Sequence, residues 1–238
     1  MVSEVLAAAE ELARRGARGA LITALPGGAV EGRALLDQSG SLVAADPGVV
    51  VSSPMVTAAL ERIATDRSGA VVDGATEWFI DVVAPPPNLR IFGAGPVAEA
   101  LCRLGAGAGF SVVVGDPRPA HARAERFPDA MAVDCGWPDD LIGRRPLDDD
   151  SYVVSLLHAE RFEDVLLPLV LRSQVRYVGA LGSRQTHAAR VERLRTAGFG
   201  EDDVGRIHGP VGLAIGAVTP EEIAVSILAE IVQVRRGR

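Results

Sequence analysis

The stretch NLRIFGAGPVAEALCRL, residues 88–104, leaves the chain little choice of local structure. Leu89 to Phe92 suits a short buried strand, and VAEALCRL carries apolar residues at helical spacing. Between them Gly93, Gly95 and Ala98 form a Gly-x-Gly-x-x-Ala turn. Gly93 allows the tight turn, Gly95 lets the backbone approach a pyrophosphate, and Ala98 lets the helix lie close to the strand. A phosphate would meet the free N–H groups of the helix start, over Pro96, Val97 and Ala98. The next apolar run ends at Asp116, 23 residues after Gly93. A carboxylate that accepts adenosine ribose hydroxyls is expected at roughly 20 residues. The alternative is a glycine-rich turn that holds no ligand. Asp116 repels a 2′-phosphate, whereas Arg118 can pair with one, so the expected cofactor is NAD or NADP, with NAD favoured.

The rest of the sequence supplies a frame for that turn. Pro85, Pro86 and Pro87 forbid a helix and cannot donate to a central ladder, so APPPN reads as a stiff linker. Beyond it, strands at Leu89–Phe92, Ser111–Val114, near AMAV, at Tyr152–Ser155 and at Val175–Ala180 alternate with helices over 96–106, 162–171 and 184–197. A last helix starts at TPEE, capped by Thr219. Such alternation implies parallel strands with helices on both faces. Before the linker, helices at 3–15 and 55–65 accompany strands in GALITAL, GRALLDQ, AVVDG and EWFIDVVA. The predicted class is α/β, a C-terminal Rossmann-like doubly wound parallel sheet over 88–238, preceded by a small α+β domain over 1–84.

Composition narrows the function. The formal charge of −7 is spread along the 238 residues, and no Lys/Arg stripe with interleaved aromatics appears, so nucleic acid is not an expected partner. The N-terminal stretch places Glu4, Glu10 and Glu11 among its apolar residues, as an amphipathic helix does and a signal peptide does not. No apolar run approaches the roughly 20 residues of a membrane span, and the expected location is cytoplasmic. Cys102 and Cys135 form no disulfide framework and are expected to be buried thiols. His121, His158, His187 and His208 are scattered, so no metal site is expected.

RYVGALGSRQTHAARVERLRTAGF and RIHGPVGLAIGAVTPEEIAVSILAEIV, together with FGAGPVAEAL, DPRP and ERFPDA, resemble the XdhC/CoxI family over about residues 88–238. Its members are accessory factors in the maturation of xanthine dehydrogenase and carbon monoxide dehydrogenase. The resemblance implies a small N-terminal domain joined to a Rossmann domain, a homodimer, and delivery of molybdenum cofactor to a molybdoenzyme partner. The chain departs from the family pattern in having no cysteine before Cys102, where a soft metal or sulfur carrier wants a thiolate. It also has Ala159 and Ala214 where the pattern reads aspartate.

In an open parallel sheet the ligand crevice lies at the carboxyl ends of the strands, and LLHAE and LGSRQTH are delivered there. Gly182, Ser183 and Arg184 therefore join the cofactor-binding candidates, although Ser183 can equally cap the following helix. Arg184 at a helix start opposes the dipole unless an anion offsets it. His158 is the catalytic candidate, an acid/base group just past a buried strand, with a solvated surface histidine as the alternative. His187 and His208 are candidates to touch a small-molecule substrate, with a solvent-facing side chain the alternative for His187 and loop shape in the Gly- and Pro-rich RIHGPVG the alternative for His208. Two functions follow: an NAD(P)-dependent oxidoreductase of a small molecule, taken first, and a non-catalytic chaperone that inserts molybdenum cofactor.

Overall fold

The computed structural model describes residues 3–28 and 30–237. Met1, Val2, Ala29 and Arg238, which the expected domain ranges include, lie outside the described residues. The chain divides into two compact units, Met1–Pro85 and Pro86–Arg238.

The first unit runs α1 (Glu4–Arg14), β1 (Gly19–Ala24), β2 (Arg33–Asp37), β3 (Leu42–Ala45), α2 (Ser53–Thr65), β4 (Gly69–Asp73) and β5 (Thr76–Val83). The strands form an antiparallel sheet ordered β3-β2-β1-β5-β4. Alternation with period two sorts its side chains. Ile22, Leu36, Trp78 and Ile80 meet Met55, Ala59 and Ile63 of α2, while Leu35 meets Val5 and Ala9 of α1. Sequence reasoning missed β3, an edge strand joined through a register break at Leu35/Leu36. Leu42 and Val43 are exposed, so it lacks the alternation that marks a half-buried strand.

The second unit runs β6 (Asn88–Phe92), α3 (Pro96–Gly107), β7 (Ser111–Asp116), a 3-10 turn (Ala124–Arg126), β8 (Ala132–Cys135), α4 (Pro138–Arg144), β9 (Ser151–Ser155), α5 (Glu160–Leu171), β10 (Tyr177–Ala180), α6 (Arg184–Thr196), α7 (Glu201–Val204), β11 (Ile207–His208) and α8 (Pro220–Arg235). All its strand pairings are parallel and the order is β8-β7-β6-β9-β10-β11. The chain winds outward from β6 to one edge, returns, and winds outward through β9 to the other, the doubly wound α/β arrangement.

Both faces of this sheet are covered. Leu89, Ile91, Val112, Val114 and Val154 pack under α3 and α8, against Leu101, Ile227 and Ile231. Phe92, Val153, Val178 and Ala180 point the other way, onto Leu166, Leu167 and Leu194 of α5 and α6. Strands buried on both faces read as continuous apolar runs, which is why β6, β7, β9 and β10 were legible. The expected strand at Val175 begins at Tyr177 instead. The short α4, α7 and β11 were not anticipated, each being too brief to show a period. Trp78 is buried in the first unit, and Trp137 in the second is 45% exposed beside Phe162. Among the described residues no helix is long and apolar enough to cross a membrane.

The cap on α8 is reciprocal. Thr219 Oγ1 accepts from the Glu222 N–H, and Glu222 Oε2 accepts from the Thr219 and Val218 N–H groups. Thr219→Ala is expected to lower the unfolding free energy by about 1 kcal/mol, read from the midpoint of denaturant unfolding with an unchanged slope.

Candidate functional site at the carboxyl edge of the parallel sheet

The chain reverses its winding between β6 and β9, and the two connections leave those strands in opposite directions. Gly93 adopts φ +108°, and a Cβ there would stand 2.8 Å from the Leu156 carbonyl carbon and oxygen. The neighbouring strand's exit thus imposes the first glycine. Gly95 is different: its φ of −90° suits any residue, and a Cβ would meet nothing within 4 Å. That open space is where a phosphate can approach the backbone. Gly95 is the N-cap of α3, with Pro96 next and no side-chain cap. Ala98 is fully buried against the sheet, and Val97 is partly buried in the same core. By contrast α6 is capped by Ser183, whose Oγ accepts from the Thr186 N–H at 3.1 Å. Of the two glycine-led helix starts, then, α3 has no side-chain cap and α6 has one.

Asp116 ends β7 at 0% exposure. Its Oδ1 accepts from the N–H and Nε of Arg118, both at 2.9 Å. Its Oδ2 accepts from the Ala94 N–H and from Arg118 Nη2, both at 2.8 Å. Burial opposes ionisation, but the Arg118 side chain and the two N–H groups outweigh it and hold this carboxyl below the usual range. From solvent the Arg118 guanidinium is met first.

The other half of the crevice holds a charge pair that sequence reasoning missed. Arg190 of α6 and Glu163 of α5 are both buried. Arg190 Nε and Nη2 donate to Glu163 at 3.1 and 3.0 Å, Nη2 also donates to the Leu181 carbonyl at 2.8 Å, and Ser155 Oγ donates to Glu163 at 3.1 Å. The pair ties the ends of β9 and β10 to both helices. A signal existed: Glu163 is in register with Leu166, Leu167 and Val170, and Arg190 with Leu194, so each charge stands on an apolar helical stripe.

Above the pair lies a cleft of about 270 Å³ whose lining includes His158, Gly182, Thr186, Arg190 and Arg193. It brings together two of the candidate residues, His158 and Gly182. His158 is exposed and makes no hydrogen bond or ion pair among the described residues. Arg184 is exposed at the first position of α6.

The two histidines expected to touch substrate, His187 and His208, are held by their neighbours. His187 packs so closely on Gly209 that a Cβ there would stand 2.0 Å from its Nδ1. Burial and the Arg190 charge, partly opposed by Glu163, push its imidazole below the ordinary value. His208 lies on Tyr177, with ring centroids 4.7 Å apart, and its Nδ1 is 3.2 Å from Glu230. Glu230 also accepts from the Tyr177 hydroxyl at 2.5 Å and the Gly212 N–H at 2.9 Å, so His208 belongs to a pin that fixes the loop before α8.

Of the cysteines, Cys102 is buried, and burial with the nearby Asp129 charge pushes its thiol up to about 11. Cys135, expected to be buried, is exposed at the end of the edge strand β8. Among the described residues no group of three His, Cys, Asp or Glu side chains can hold a metal ion.

A six-stranded parallel sheet ordered 3-2-1-4-5-6, with a glycine turn at its switch point, defines a Rossmann-type domain. The chain belongs to the XdhC family, its residues 89–231 matching the XdhC Rossmann domain. It is 36% identical over 164 residues to a probable xanthine dehydrogenase subunit of Bacillus subtilis, covering 69% of this chain and 48% of that protein. It is 29% identical over 151 residues to the molybdenum cofactor insertion chaperone PaoD of Escherichia coli, covering 63% of this chain and 41% of the relative. A crystal structure of a xanthine dehydrogenase from Bacillus halodurans aligns with a TM-score of 0.74 at 26% identity, over 96% of this chain and 62% of that one. The chain therefore spans less than half the length of these two curated relatives.

Asp116 is expected to titrate below the ordinary carboxyl value of 3.8 in a carbon-detected NMR titration. Its contribution to stability is complete at neutral pH and is lost as acid carries the solution down through that depressed value. Arg118→Ala removes the largest favourable contact and keeps the two backbone N–H groups, so the midpoint is expected to move upward.

Proposed function

We propose that this chain is an accessory protein of molybdenum-cofactor maturation, acting in the cytoplasm as a homodimer beside a xanthine dehydrogenase-type molybdoenzyme. In this reading NAD or NADP sits on the Gly93–Ala98 turn, and the cleft around His158 receives the small-molecule cargo. The observation that carries the reading is the uncapped start of α3 with open space above Gly95, at the switch point of the sheet, in a chain similar to a named insertion chaperone. In this reading the phosphate end of a pterin cofactor meets Thr186, the imidazole of His158 and the guanidinium of Arg193, which exchanges its Glu160 and Asp164 partners for it. Of the two cysteines, Cys102 is buried with its thiol pushed up to about 11, and the exposed Cys135 is not among the residues that line the cleft.

A second reading, an NAD(P)-dependent oxidoreductase of a small molecule, is favoured by the exposed imidazole at the mouth of the cleft. A general acid is ordinarily oriented by a partner, and His158 has none among the described residues. An insertion role needs a site that binds and releases, which asks less of that side chain.

The test is to purify the protein from cells that make molybdenum cofactor, oxidise one portion to the fluorescent pterin and assay released NAD(P) in another. Both are expected from the wild type. Gly95→Val is expected to lose the nucleotide by at least about tenfold, because its side chain fills the phosphate space. His158→Ala combined with Arg193→Ala is expected to lose the pterin and keep the nucleotide. Nucleotide without pterin, together with a dinucleotide-dependent turnover that drops about 10²- to 10⁴-fold in His158→Ala, overturns the reading in favour of the oxidoreductase.

A further inference from the structure

We infer that the dinucleotide site is built for a ribose carrying a 2′-phosphate, with Arg118 as the recognition group and Asp116 as its brace, so that NADP is taken in preference to NAD. The inference rests on the proposed nucleotide site at the Gly93–Ala98 turn and adds its specificity.

A carboxylate that selects NAD does so by accepting hydrogen bonds from ribose hydroxyls. An ionised carboxylate offers about four lone-pair positions. At Asp116 four donors already take them: the Ala94 N–H, the Arg118 N–H, Arg118 Nε and Arg118 Nη2, all at 2.8 to 2.9 Å. The residue is 0% exposed. For a ribose to reach it, Arg118 would have to leave, and a buried carboxylate would lose its counter-charge.

What the crevice presents at this position is the guanidinium. The Arg118 side chain is 46% exposed. It spends Nε and one N–H of Nη2 on Asp116, and Nη1 makes no hydrogen bond among the described residues. Three N–H donors in one plane therefore face outward, the fork that matches phosphate oxygens. The ion pair also cancels the repulsion that Asp116 alone would exert on a phosphate. The loop after Arg118 is drawn back by the His121 and Ala122 N–H groups, which donate to the Arg118 carbonyl at 2.9 and 3.1 Å. That loop carries His121 Nδ1, a buried side-chain atom without a hydrogen-bond partner among the described residues.

The experiment is titration calorimetry on the full chain freed of nucleotide, with NADP, NAD, adenosine 2′,5′-bisphosphate and adenosine 3′,5′-bisphosphate as the probes. NADP is expected to bind about 10- to 100-fold more tightly than NAD near pH 7.5, the range for adding charge-assisted hydrogen bonds. The 2′,5′-bisphosphate is expected to bind about tenfold more tightly than the 3′,5′ isomer. The preference is expected to shrink below about pH 6, where the 2′-phosphate takes up its second proton. Arg118→Ala is expected to erase the preference, and Arg118→Lys, which keeps the charge and loses the fork, to retain only part of it. The wild-type comparison needs no variant, so it stands even where Arg118→Ala folds poorly. NAD binding as tightly as NADP to the wild type, or an undiminished preference in folded Arg118→Ala, overturns the inference while leaving the nucleotide site in place. If neither dinucleotide binds, the site itself is refuted and the inference falls with it.

Discussion

Gly93 and Leu156 come so close that no side chain fits between them, and the geometry of the crevice depends on that contact. Leu156 is drawn in by its N–H, which donates to the Phe92 carbonyl at 2.7 Å, so β6 and β9 stay paired to the last residue before they part. Only then can one connection turn back over α3 and the other run on toward α5. A side chain at Gly93 would force the strands apart at the point where the sheet must open. Gly95 is small for a different reason, since among the described residues nothing lies within 4 Å of where its Cβ would stand. One glycine serves the protein's own packing and the other leaves room for something else, although the motif writes them with the same letter.

Two carboxylate–guanidinium pairs flank this point and do opposite work. Glu163 and Arg190 are sealed: donors from β9 and α6 and the Leu181 carbonyl absorb most of their capacity, and the pair acts as a brace between two helices. Such a pair adds little net stability compared with an apolar filling, but it fixes which side chains meet. Asp116 and Arg118 are sealed on one side only. The carboxylate faces inward and is spent, while the guanidinium keeps donors on the side toward solvent.

Much of this was legible in the sequence wherever a period or a steric rule had room to act. The doubly wound sheet followed from apolar runs alternating with helical stripes, and the turn from Gly93, Gly95 and Ala98. Side-chain partners were harder. Asp116 was placed correctly at a strand end, but spacing alone cannot tell whether a carboxylate is open or covered, and Arg118 two residues later covers it. Glu163 and Arg190 are 27 residues apart, and each looks ordinary until both are seen on inward-facing stripes. For His208 the sequence offers two readings, a substrate contact or a position set by the Gly- and Pro-rich loop around it. Its partners, Tyr177 and Glu230, come from a strand and a helix well away in the chain.

The two tryptophans divide between the units, and their surroundings are unlike. Trp78 lies in an apolar core at 4% exposure, whereas Trp137 stands half in water at the start of α4, edge-on to Phe162. The first emits as a shielded indole and the second as a solvated one. The protein thus carries a separate optical label for each half, so the order in which the halves melt can be read by colour from a single unmodified sample.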